Sequence, residues 1–113
     1  MPRYGVYLAL DVHEEFLYLV SYDAEPLPSS ETFASCSGAA VNVWVSSSTE
    51  QEALAVASRE VQEAGWRITT PERIRRTVRT DYADAPEGLP YFEQALLDGV
   101  VVVFHTWQEG VHH

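Results

Sequence analysis

The chain has 113 residues, 46% hydrophobic and 21% charged, with net charge −10, which fits one domain able to bury its own core. No apolar run approaches the roughly 20 residues of a membrane-spanning helix. The start, Met1 to Leu10, does not read as a signal peptide, and a lone Cys36 excludes an intrachain disulfide. The expected setting is soluble and cytoplasmic.

In chain order, Tyr4–Leu10 alternates as a strand, with Val6, Leu8 and Leu10 on one face and Tyr7 and Ala9 on the other. Asp11–Glu15 turns, and Phe16–Tyr22 alternates again, so residues 4–22 are expected to form an antiparallel hairpin. Residues 23–38, rich in Pro, Ser and Gly, read as a loop. Ala39–Ser46 is a strand, with Val41, Val43 and Val45 on one face and Asn42 and Trp44 on the other. Thr49 and Glu52 form a capping box for a helix over 50–64, whose apolar stripe is Leu54, Ala57, Val61 and Ala64. Gly65 stands at its left-handed end. Trp66–Thr70 reads as a strand. Residues 71–80 fit either a helical turn or a strand, and the strand from about Ile74 is favoured. Residues 81–88 form an acidic loop. Pro90 opens a short helix to Leu97, with Leu89, Phe92 and Leu96 on one face, and Val100–Trp107 is the last strand.

From residue 39 the order is strand, helix, strand, strand, helix, strand, the ferredoxin-like βαββαβ order. The expected fold is α+β: an antiparallel sheet with two helices on one face over residues 39–107, plus the N-terminal hairpin, all in one domain. Val100–Phe104 is apolar on both faces, which suits a covered strand better than the bare edge this topology gives it. Either the N-terminal hairpin or a second subunit is expected to pair with it or cover it.

Charge is distributed unevenly, and every basic residue is Arg. Residues 1–58 carry eight acids against Arg3, residues 59–79 carry six Arg against three acids, and residues 80–113 carry six acids and no base. The global charge repels phosphate backbones, so nucleic acid is not an expected partner, and neither is a membrane. The Arg run between 67 and 79 can hold an anion, or can be neutralised by the flanking acids.

Signatures of catalysis are missing. There is no glycine-rich phosphate loop and no G-x-S-x-G elbow. His13-Glu14 starts like a zincin motif, but Leu17 stands where the second His belongs, so His13 reads as a turn residue. Cys36 has no cation or helix start beside it in sequence to activate a thiolate. Asp81, Asp84 and Glu87 lack the spacing of a calcium loop and read as a site for a cation or an Arg-rich partner, or as plain turn carboxylates. His105 can serve as an acid or base, or as a hydrogen-bonded strand residue. His112 and His113 can take metal only adventitiously. No cofactor, metal site or catalytic residue is expected.

The stretches VNVWVSSSTEQEALAVASREVQEAGWRI and DYADAPEGLPYFEQALLDGVVVVFHTW resemble a group of small uncharacterised bacterial domains. The resemblance covers the last two-thirds of the chain. It implies a ferredoxin-like core and a bacterial setting, and it implies no activity and no catalytic residue.

The reading is therefore of a non-enzymatic interaction or regulatory module. Its expected contacts are Asp81, Tyr82, Asp84, Glu87, Tyr91, His105 and Trp107, and its expected partner is a basic protein or a second copy of itself. The alternative is a small-molecule binder or small enzyme that uses the open sheet face around Trp44, His105 and the strand arginines.

Overall fold

The computed structural model describes residues 15–30 and 36–107. The elements are β1 (Phe16–Pro26), β2 (Gly38–Val45), α1 (Glu50–Glu63), β3 (Trp66–Ile68), β4 (Arg73–Val78), 3-10 turns at Arg79–Tyr82 and Pro86–Gly88, α2 (Leu89–Asp98) and β5 (Val100–Trp107). No described helix is long and apolar enough to cross a membrane.

The fold is α+β and the sheet is antiparallel, but its order differs from the ferredoxin-like one. β1 lies in the middle, paired with β2 on one side (Tyr18 opposite Val45) and with β4 and β3 on the other (Phe16 opposite Val78, Ala24 opposite Ile68). β5 pairs with β2 and is the edge strand beyond it. β3 and β4 are therefore two stretches along the same side of β1, not a hairpin. Residues 69–72, with Pro71, bulge without reversing the chain. Asp23 bridges the gap, since its carbonyl accepts the Thr69 amide (2.9 Å) and its amide donates to the Thr70 hydroxyl (2.8 Å). Residues 4–10 lie outside the described residues. Over Tyr18–Ser21 both sides of β1 are paired, with β2 on one side and β4 on the other. β1 also runs on to Pro26 and shortens the expected loop. Tyr22, Ala24 and Pro26 keep the inward alternation going through polar neighbours.

The two helices lie on opposite faces, not on one. Successive strand residues point to opposite sides. Tyr18, Val20 and Tyr22, with Val41, Val43 and Val45, share a core with Ala53, Ala57 and Val61 of α1. Leu17 and Trp44 share the other core with Phe92 and Ala95 of α2. The double coverage explains β5, whose Val100, Val102 and Phe104 pack toward α1 and whose Val101 and Val103 pack toward α2.

Local signals hold with small shifts. Thr49 accepts the Glu52 amide (3.1 Å), but the Glu52 carboxylate takes the Ser47 hydroxyl (2.7 Å), so only half of the capping box forms. The buried stripe of α1 is Ala53, Ala57 and Val61; Leu54 is half-buried and Ala64 exposed. Gly65 and Gly99 end the two helices at φ +94°.

Tyr22 is the uncomfortable member of the α1 core. Its hydroxyl is buried and has no hydrogen-bond partner among the described residues. Burial, with the Glu72 charge second, pushes its pKa up to about 12. Tyr22→Phe removes an unpaired buried polar group and should raise stability by about 1 kcal/mol in a urea melt. The folded chain holds this proton more tightly than the unfolded chain does. Folding stability is therefore insensitive to this proton below pH 10 and falls as pH climbs from 10 toward 12. Alkaline melts of the Phe variant should decline less steeply over that window, and a parallel decline would contradict this account.

Candidate functional site

The second core is built around a polar thread. Tyr82 is 7% exposed, and its hydroxyl accepts the Trp44 indole N–H (2.8 Å) and meets the Thr77 hydroxyl (2.9 Å). The Thr77 hydroxyl also reaches the Asp81 carboxylate (3.1 Å), which accepts the Val78 amide (2.9 Å) as well. That amide first, then Thr77, with the weaker pull of Arg75, hold the Asp81 pKa below the usual carboxylate range. This small stabilising contribution is present above the ordinary pKa of 3.8 and fades as pH falls below it. Gly88 completes the fit, because a Cβ there would sit 2.7 Å from the Tyr82 ring. The D-Y-x-D-x-P-E-G stretch is thus largely a seat for Tyr82 against the sheet.

Of the expected contact residues, Tyr82 is buried in the core and Asp81 is bonded within the turn; nearby, Glu93 pairs with Arg79 (2.7 Å). Asp84 and Glu87 are exposed, and Tyr91, 38% exposed, leans on the Trp44 ring (centroids 5.2 Å apart). His105 and Trp107 do not join them. β5 starts beside the end of α2 and carries His105 and Trp107 away, opposite Ala40 and Gly38 at the far end of the sheet. His105 is exposed and its side chain makes no hydrogen bond among the described residues, while Trp107 lies over Gly38, where a Cβ would meet its ring at 2.6 Å.

A different surface emerges on the α2 face. α2 has ten residues, about 15 Å of helix, against the eleven residues, about 37 Å, of β1. It covers the end holding Leu17 and Trp44, with Leu19, Val101 and Val103 packed at its margin, and leaves Ser21 and Asn42 beyond them half-buried. Register places Arg75, Leu19, Trp44 and Val101 in one row across the sheet, and Arg73, Ser21, Asn42 and Val103 in the next. The Ser21 hydroxyl donates to Asn42 Oδ1 (2.7 Å). Leu19, Ser21, Arg73, Ile74 and Arg75 line an open depression of about 210 Å³. Sequence reasoning missed Leu19 and Ser21. The available signal was a polar residue at the same face position of two otherwise apolar strands, Ser21 and Asn42.

The arginines divide by partner. Arg67 pairs with Glu25, and Arg79 with Glu93 and Glu15; Arg76 lies 3.9 Å over the Phe16 ring. Arg75 reaches Asp81 only at 3.7 Å, and Arg73 has no ion pair among the described residues. Neutralisation within the chain therefore accounts for part of the Arg run and leaves its guanidinium pair over the depression available. Both are planar forks suited to carboxylates.

The face does not assemble acid–base chemistry. His105 is three strands from Arg73, roughly 14 Å, and two strands and a row from Ser21. Cys36 is half-buried at the margin of the α1 core. No group of three His, Cys, Asp or Glu able to hold a metal occurs among the described residues, and His13, His112 and His113 lie outside them. Comparison with family models, curated proteins and solved structures finds no match to the chain. Any functional reading of the chain therefore rests on its own geometry and charge.

Proposed function

We propose that the chain is a protein-interaction module, and that it docks an acidic extended segment of a partner on the part of the sheet face beyond α2. The observation that carries this is the Arg73–Arg75 pair, on one face of an exposed strand, beside Leu19 and Ser21 in the same depression. A depression of about 210 Å³ is smaller than the roughly 300–1,000 Å³ cavities that enclose small ligands, which favours a macromolecular partner over the small-molecule alternative. The partner's sign is the reverse of the basic one suggested by composition, because Asp81 and Glu93 are engaged within the chain. Net charge −10 works against association at long range, so attraction is confined to this patch and to low salt.

The test uses nine-residue fluorescent peptides with Glu at alternate positions, matched Lys peptides, and a duplex DNA. The Glu peptides alone should raise anisotropy at 50 mM salt and lose affinity at 200 mM. Arg73→Ala combined with Arg75→Ala should weaken them at least tenfold with an unchanged melt, since both side chains are exposed. Binding that ignores the double variant, or equal binding of the DNA, would overturn the reading.

A further inference from the structure

We infer that β5 pairs edge to edge with β5 of a second copy, joining two sheets across a two-fold axis. The two described edges of the sheet are built differently. Along the β3–β4 edge the strand is broken at residues 69–72, holds Pro71, and displays Arg73, Arg75 and Arg76, the devices that keep edges from pairing. β5 has none of them. Its eight residues include no Pro, Gly, Asp, Glu, Lys or Arg, and its outer side has no strand partner among the described residues.

The occupant must match this pattern. A strand apolar on both faces needs a neighbour apolar on both faces, and Val100–Phe104 is such a strand. An antiparallel pair around an axis normal to the sheet keeps each face with its own kind. Val101 and Val103 of one copy continue the α2-side rows of the other, and Val102 and Phe104 continue the α1-side rows. Charge points the same way. Two chains of −10 repel wherever their acids meet, and β5 lets backbones approach without juxtaposing any. Leu97, 81% exposed on the last turn of α2 just before β5, adds apolar surface. Eight residues give an edge about 27 Å long. With a layer about 10 Å deep on the α1 side and a shorter one of that depth on the α2 side, the contact is on the order of 400 Å² per copy, the size of a weak, concentration-dependent dimer.

The experiment is sedimentation of the full chain at tens of micromolar, with amide exchange of β5 read by NMR. The expected result is a particle of twice 12.7 kDa, in which the outward β5 amides are protected. Val103→Lys should return it to a monomer with rapid exchange at those amides. Should that variant fold poorly, single cysteines at positions 101 to 105 in a Cys36→Ser background keep the question open to measurement, and at least one should cross-link two chains within this strand. A monomer at 100 μM overturns the inference, whether its β5 amides exchange freely or are protected by another segment of the same chain. So does a dimer that survives Val103→Lys and yields no cross-link.

Discussion

Phe92→Ala should lower the unfolding free energy by about 3–5 kcal/mol, a large part of the roughly 5–15 kcal/mol a domain has in total. Phe92 has no exposed surface and is the largest fully buried side chain among the described residues. Its ring meets the Tyr82 ring at 5.5 Å, and the Arg79 guanidinium lies 5.4 Å over it. α2 has ten residues, too short to persist as an isolated helix. It is held by the few side chains it drives into the sheet, and of these Phe92 and Ala95 are the fully buried ones. Removing the ring leaves a cavity beneath a helix with little else to seat it, so Leu17 and Trp44 lose cover and the Tyr82 thread loses its packing. A urea melt with the slope compared between variant and parent reads both the loss and any loosening of the native state. A cost under about 1 kcal/mol would mean that α2 is not anchored as described.

That prediction could not be reached from the sequence, although its elements could. Periodicity placed both helices and the strands of residues 39–107 to within about two residues, because each is a local pattern in which burial and hydrogen bonding agree. The face of each helix was not local. Spacing says that Phe92 and Leu89 share a side of α2, but not which side of the sheet receives it. The signal of two-sided cover was present in Leu17 and Leu19, apolar between apolar neighbours, as in Val100–Phe104. Alternation chosen on Phe16, Tyr18, Val20 and Tyr22 concealed it. Residues 66–78 failed for a related reason: two short strands joined by four residues suggest a hairpin, and only the bonds from Asp23 show the chain continuing along β1. At the site, Tyr82 looked exposed because it lies off the Leu89–Phe92 stripe. Its partners Trp44 and Thr77 come from other strands, and Gly88, which admits the ring, reads in sequence only as a turn residue. Ser21 and Asn42 become a pair only once β1 and β2 are in register.

Trp66→Ala should cost a similar 3–5 kcal/mol on the opposite face, and the loss should be felt on β5. Trp66 is 4% exposed at the start of β3, and its ring stacks on Phe104 with centroids 5.0 Å apart and planes 28° from parallel. β1 and β2 lie between the two residues' strands. Ala24 and Ala39, direct partners on those strands and both buried, leave the room in which the rings meet. The stack thus spans the sheet and ties β5, otherwise held only through β2 and the flanking helices, to the far edge. Aromatic pairs of this kind are worth about 0.5–1.5 kcal/mol beyond the area they bury. A double-mutant cycle separates the two effects: Trp66→Ala and Phe104→Ala should together cost less than the sum of their separate losses by about that amount. Trp66→Phe should recover most of the burial. A cycle that closes to zero would mean that the rings touch without contributing to stability. Among the described residues β5 would then be fixed by β2 and the helices alone, with nothing further to hold its Trp107 end.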